Sequence, residues 1–317
     1  MKIQRRKRVW LLWSGIVLLT LLCILALYIR FFPSSHVEAF IRKNVPEIGG
    51  QPDNYITRTY TSTAGLQMTY YLYVPANYNP SQAYPLVLLL HGGGERATAG
   101  KTAAQNREVI MRQAYVQVWG PGYPANGKYG PNVQQHWPSF IVVPQVVNPN
   151  QWVAVPAQHG SYTLAAQPTP QLQAAMEIVN TVQQQYHIDS HRRYITGLSM
   201  GGYGTWDAIE RWPNYFAAAA PLAGAGDPSQ AARLVHLLIW AFHGTQDNVV
   251  PVSGSRDMIS AIKAAGGNPR YTEFPQSSHE IWDKVYATMN GPTPVPDFFS
   301  WFFSQRNPSP SMISTFS

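Results

Sequence analysis

The stretch YITGLSMGGYGTW, Tyr194 to Trp206, passes from an apolar run through closely spaced glycines, with a single serine, Ser199, at the bend. Tyr194-Ile195-Thr196 reads as a strand, Gly197 to Gly201 as a turn, and Met200 onward as a helix that Pro213 ends. A serine on a strand-to-helix turn, with glycine two residues to either side, has the form of a nucleophile elbow. The turn holds serine in a strained backbone conformation. Small residues are needed at 197 and 201 because strand and helix pass too close there for a Cβ. The helix N-terminus adds positive potential where an oxyanion would form.

Working outward, the chain alternates strand and helix. ITRTYTST and LQMTYYLYVP are β-rich runs separated by Ala64-Gly65, a hairpin signal. PLVLLLHGGG, Pro85 to Gly94, is an unbroken apolar run ending in glycine, as a strand buried on both faces of a parallel sheet looks. A helix is expected over Arg107–Val118, followed by the buried strand Phe140–Gln145. Leu172, Met176, Val179 and Val182 then recur at helical spacing. FAAAAPLAG, LLIWAFHG and RYTEFP are further strands, with helices over Ser255–Ala265 and Phe298–Gln305. There is no internal repeat. This order predicts an α/β fold with a mostly parallel, doubly wound sheet flanked by helices.

A serine hydroxyl is inert at its own pKa and needs a base oriented by a third group. In this class of fold the order along the chain is serine, acid, histidine. Of the nine histidines only His236, His243 and His279 follow Ser199 by enough. His279, in FPQSSHEIW, comes after the last strand, where the fold delivers its base. His243, in FHGTQD, is expected to shape its loop by hydrogen bonding. Asp247 follows the LLIWAFHG strand on the same sheet edge as the elbow, which favours it over Asp227, Asp257, Glu280 and Asp283. The expected catalytic set is therefore Ser199, Asp247 and His279. The oxyanion donors are expected to be the Met200 backbone N–H and one from His91-Gly92-Gly93-Gly94, Gly93 first and Gly94 beside it. The glycine run lacks a following Gly-Lys-Ser/Thr, and the histidines lack H-E-x-x-H spacing. Nucleotide and metal-hydrolase readings therefore fail, and the chemistry calls for no metal or other cofactor.

The N-terminus carries a different message. MKIQRRKR precedes Val9–Ile29, an uncharged run of 21 residues, about 31 Å long as a helix and so matched to a bilayer. The exit offers no small-residue cleavage site, which favours an uncleaved signal anchor over a secreted product. By the positive-inside rule residues 1–8 stay cytoplasmic and the rest lies outside, periplasmic or extracellular. Of the 23 Lys and Arg, six lie in residues 1–33, which hold no acidic residue, so 17 basic face 16 acidic in the remainder. The net charge of +7 thus belongs to membrane topology, and no basic footprint for nucleic acid survives. Cys23 is the only cysteine, so no intramolecular disulfide is possible. The expected organisation is a basic tail (1–8), an anchor (9–29), a linker (30–53), a catalytic domain (54–307) and a disordered tail (308–317).

HGGGER, RYITGLSMGGYGTWDAIERWPNYFAAAAPLAG, AFHGTQDNVVP and SSHEIW together resemble the α/β-hydrolase superfamily. More narrowly, they are similar to bacterial esterases grouped near the feruloyl and acetyl-xylan esterases of carbohydrate esterase family 1 and the polyhydroxybutyrate depolymerases. The resemblance spans residues 55–307 and maps Ser199, Asp247 and His279 onto the triad. Ser278 stands where the family usually has glycine. It implies hydrolysis of feruloyl or acetyl esters of carbohydrates, or of other small esters. Gln145 and Trp152 resemble positions lining the family's cleft. Aromatics between residues 115 and 162 suit sugar stacking and loop packing equally. The same group includes proteins called predicted peptidases related to prolyl oligopeptidase, so a serine peptidase is one alternative. A catalytically silent binding protein of hydrolase fold is another. The sequence leaves the oligomeric state open.

Overall fold

The computed structural model describes residues 54–120, 133–155, 159–287 and 294–311. The basic tail, the 9–29 run and the 30–53 linker lie outside the described residues, as do Tyr123, Tyr129 and residues 312–317. Among the described residues no helix is long and apolar enough to cross a membrane.

Eight strands form one sheet. In chain order they are β1 (Ile56–Thr61), β2 (Gln67–Tyr73), β3 (Tyr84–Leu90), β4 (Phe140–Gln145), β5 (Ile188–Leu198), β6 (Ala218–Leu222), β7 (Leu238–Gly244) and β8 (Arg270–Phe274). They lie in the order β1-β2-β4-β3-β5-β6-β7-β8. β2 pairs antiparallel with both β1 and β4, and every other pair is parallel. The helices are α1 (Ala103–Met111), α2 (Ala114–Gln117), α3 (Val133–His136), α4 (Pro170–Gln185), α5 (Met200–Arg211), α6 (Ser253–Ala264), α7 (Trp282–Val285) and α8 (Phe298–Ser304).

The apolar runs explain the layering. Successive strand side chains point to opposite faces, so β3 sends Leu86, Leu88 and Leu90 into one core and Val87 and Leu89 into the other. The first core is closed by α4, α5 and α6 through Leu172, Met176, Trp206, Met258 and Ile262. The second is closed by α8, whose Phe298, Phe299, Phe302 and Phe303 surround the fully buried Trp119. Burying each such side chain contributes about 1.5–3 kcal/mol. Tyr115, Trp119 and Trp152 are all buried, so these members of the aromatic segment pack the domain.

Two boundaries move. The helix expected over Arg107–Val118 starts earlier, behind a Thr102 capping box, and breaks into α1 and α2. The tail expected from residue 308 is fastened as far as Ser311, whose N–H donates to Asn214 O and whose carbonyl accepts from Arg193 Nη2 at 2.7 Å.

Candidate active site

β3, β5, β7 and β8 run parallel, so their C-terminal ends share one edge, where open α/β sheets place their sites. The loop after β3 carries Gly93 and Gly94, and the turn after β5 carries Ser199. Asp247 follows β7 and His279 follows β8.

Ser199 joins β5 directly to α5 and sits at φ 54°, ψ −120°, in left-handed space that a side chain rarely adopts. Its own N–H donates to Leu222 O at 2.9 Å, and its carbonyl accepts from Tyr203 N–H at 3.1 Å. The flanking glycines are required by contact. A Cβ on Gly197 would stand 2.5 Å from Gly201 O and 2.7 Å from Leu90 O, and one on Gly201 would overlap the Leu90 carbonyl.

The sequence-predicted side chains meet. Ser199 Oγ lies 2.8 Å from His279 Nε2, and His279 Nδ1 lies 2.7 Å from Asp247 Oδ2. A carboxylate only accepts, so Nδ1 carries the imidazole proton. Nε2 is left with a lone pair for the serine hydroxyl. Asp247 Oδ1 accepts from the N–H groups of Val249 and Val250 at 2.9 and 2.8 Å. Burial alone would raise the Asp247 carboxyl. Hydrogen bonds from His243, His279 and those two N–H groups outweigh it and hold the group well below the usual carboxylate range. Trp282 sets its ring edge-on to His279, with centroids 5.5 Å apart.

The Met200 N–H occupies the first position of α5, where no intrahelical acceptor exists. Leu90 stands level with Gly197 across β3 and β5, which brings the Gly93–Glu95 turn beside the elbow. That turn is braced from the segment after β4. Trp152 Nε1–H donates to His91 O at 3.0 Å, Gln145 Nε2–H to Glu95 O at 2.8 Å, and Val146 N–H to His91 Nε2 at 3.0 Å.

Gln145 and Trp152 therefore need correction. At 1% and 0% exposure, with their N–H groups spent on the loop, they hold the glycine turn in place and do not line an open cleft. Met200 instead shares a pocket of about 10 Å³ with Gln151, Val153, Val155 and Tyr203. Sequence reasoning missed these neighbours because nothing in an irregular loop signals which side chain will face the elbow. It also missed that His243 approaches Asp247, at the same Oδ2 that His279 meets. Among the described residues no group of three or more His, Cys, Asp or Glu is placed to hold a metal ion.

A serine on a strained elbow, hydrogen-bonded to a histidine that a buried aspartate orients, at one edge of a mostly parallel sheet, defines the class: a protein carrying a Ser-His-Asp nucleophile constellation. The chain belongs to the Esterase family, described as "Putative esterase", whose model matches residues 61–284. It is similar to a thermostable esterase of known crystal structure, with 33% identity and a TM-score of 0.65. That match covers 80% of this chain and 64% of the other. It is 27% identical over 193 residues to a bifunctional acetylxylan esterase/xylanase of Neocallimastix patriciarum, covering 60% of this chain. The chain spans 23% of the length of that curated relative. A feruloyl esterase module from Clostridium thermocellum, complexed with sinapinate, shares the fold at 19% identity and a TM-score of 0.54. That alignment covers 82% of this chain and 93% of the module.

Proposed function

We propose that the protein hydrolyses small carboxylic esters, acetyl esters of carbohydrates foremost, through an acyl-enzyme on Ser199. Ser199 Oγ attacks the ester carbonyl while His279 Nε2 takes its proton. The tetrahedral oxyanion is met by the Met200 N–H and by an N–H of the Gly93-Gly94 turn. His279 then gives the proton to the departing alcohol. Water, deprotonated by the same imidazole, attacks the acyl-enzyme and releases the acid and free serine. Asp247 holds the imidazole tautomer and offsets its charge in both halves.

The observation that carries this reading is the hydrogen-bonded series Ser199–His279–Asp247 on a backbone held at φ 54°. Acetyl preference is supported by the acetylxylan esterase relative. Ser199→Ala should abolish release of p-nitrophenol from p-nitrophenyl acetate, and acetylated xylan should give a higher kcat/KM than methyl ferulate. Wild-type turnover by the alanine variant would sink the nucleophile. Faster feruloyl turnover would sink the acetyl preference.

We also infer that residues 9–29 anchor the chain in a membrane, with the catalytic domain on the extracytoplasmic side. The uncharged length of that run and the basic residues before it support this placement.

A further inference from the structure

Two imidazoles approach one oxygen of Asp247. Its Oδ2 lies 2.7 Å from His279 Nδ1 and 3.2 Å from His243 Nε2, and the side chains of His243 and Asp247 are wholly excluded from solvent. His243, near the end of β7, reaches its other neighbours through the same ring. Nε2 lies 3.1 Å from Val250 O, and Nδ1 lies 2.7 Å from Ser255 Oγ. Ser255, in the first turn of α6, is buried as well, with its hydroxyl 3.2 Å from Gly224 O.

The partners fix the proton. Nε2 faces a carboxylate oxygen and a carbonyl oxygen, both acceptors, so it must carry hydrogen. Nδ1 faces a hydroxyl, which can donate to it or accept from it. In either case the Nε2 proton lies between Val250 O at 3.1 Å and Asp247 Oδ2 at 3.2 Å. Gly224 closes the circuit, because its chain packs directly on Gly202 of α5, where a Cβ on Gly224 would meet Tyr203 N at 2.7 Å. The helix that starts at the serine is thereby tied through Gly224, Ser255, His243, Asp247 and His279 back to Ser199.

We propose that His243, backed by Ser255, is a positioning residue for ester hydrolysis. Its Nε2–H, shared between Val250 O and Asp247 Oδ2, steadies the Asp247 carboxylate in the orientation that receives His279 and tempers the negative charge the carboxylate presents to that imidazole. The inference rests on the reading of Ser199, His279 and Asp247 given above. His243 touches no substrate; it acts through Asp247.

Removing the donor has two effects. The carboxylate gains freedom to turn, so a smaller share of the enzyme has His279 correctly held. The negative potential at His279 also rises, which favours the imidazolium and moves the acid limb of the kcat/KM profile to higher pH. The other charged or titratable groups around this cluster are Tyr203 of α5, Glu273 of β8 with its partner Arg256 of α6 at 2.7 Å, Lys284 of α7 on Ser277, and the exposed Glu280. None is altered by the substitutions below.

The test compares His243→Leu, His243→Gln and Ser255→Ala in the full-length chain. Glutamine returns an N–H donor near the place of Nε2; leucine does not. kcat/KM for p-nitrophenyl acetate is followed from pH 4.5 to 9, with fluorophosphonate labelling of Ser199 to count competent sites. Per labelled site, His243→Leu should lower the plateau about tenfold and raise the midpoint of the acid limb by about half a pH unit. His243→Gln should keep that midpoint at the wild-type value and recover most of the plateau. An acid limb unmoved in the leucine variant, or moved equally by glutamine, overturns the proposal. Where leucine prevents folding, Ser255→Ala decides. A smaller shift in the same direction supports the circuit, and an unmoved limb overturns it. Failure of the underlying reading shows separately, as turnover retained by Ser199→Ala.

Discussion

His91 Nδ1 lies 2.6 Å from Gly92 O, and its Nε2 lies 3.0 Å from the Val146 N–H. The carbonyl can only accept and the amide only donate, so the ring is neutral with its proton on Nδ1. Burial is the largest influence and lowers its pKa from 6.5 to about 4, with Arg96 pushing the same way and the Gly92 carbonyl opposing. The sign of the pH dependence follows. Between pH 6.5 and 4 the unfolded chain takes up a proton at this position and the folded chain does not, so stability falls as pH falls through that window. The stabilisation is fully present above pH 6.5. Its loss by pH 4 amounts to about 3 kcal/mol. His91→Gln keeps an acceptor for Val146 and cannot titrate. Urea unfolding at several pH values should show a shallower decline for the variant than for the wild type over this window. Equal slopes would mean that His91 takes up its proton without unfolding.

At the scale of elements, the turn after β3 and the segment after β4 form one unit. Gln145 accepts from Tyr71 Oη–H at 2.8 Å and donates to Glu95 O and Asn106 O at 2.8 and 2.9 Å. Gln145→Ala therefore unpins the glycine turn and removes the amide that ties it to α1. kcat should fall about tenfold or more through misplacement of the oxyanion donors, with KM changed less than about twofold. Unfolding free energy should drop by about 2 kcal/mol. A rise in KM at constant kcat would return Gln145 to the substrate cleft. That residue also marks where the sequence ceases to be legible. FIVVPQ announces a strand, but a strand buried on both faces has no alternation to show where its last polar side chain goes. The elbow was legible because its glycine spacing is a local pattern, even though the carbonyls that demand Gly201 are those of Leu90 and His91 at the end of β3. So was the chain order that delivers Asp247 and His279 to one edge. β5 was legible only over Tyr194–Thr196, because Ile188–Arg192 is half-buried and pairs through an irregular register at Tyr84. The exchange of β3 and β4 in the sheet, and the contact of His243 with Asp247, depend on pairings that no short stretch encodes.

For the whole molecule, the charge distribution separates two ways of meeting a membrane. The remainder beyond residue 33 carries 17 basic and 16 acidic residues, so any attraction to an anionic surface resides in the first 33. Six cations alone would hold the chain by screened electrostatics, which fail in about 1 M salt, where the Debye length is about 3 Å. A helix of 21 uncharged residues inserted across the bilayer would not respond to salt at all, since its stabilisation is apolar transfer. The full-length chain, reconstituted in vesicles containing anionic lipid, should therefore remain in the pellet through high-salt and alkaline carbonate washes. Residues 34–317 contain the whole of the compact unit Gln51–Ser317 and should stay in the supernatant. That fragment should hydrolyse p-nitrophenyl acetate at the full-length rate, because every group placed at Ser199 lies within it. Release of the full-length chain by salt would reduce the N-terminus to an electrostatic tether. Recovery from cells of a chain beginning after residue 30 would make it a cleaved secretion signal, and the esterase a freely diffusing one.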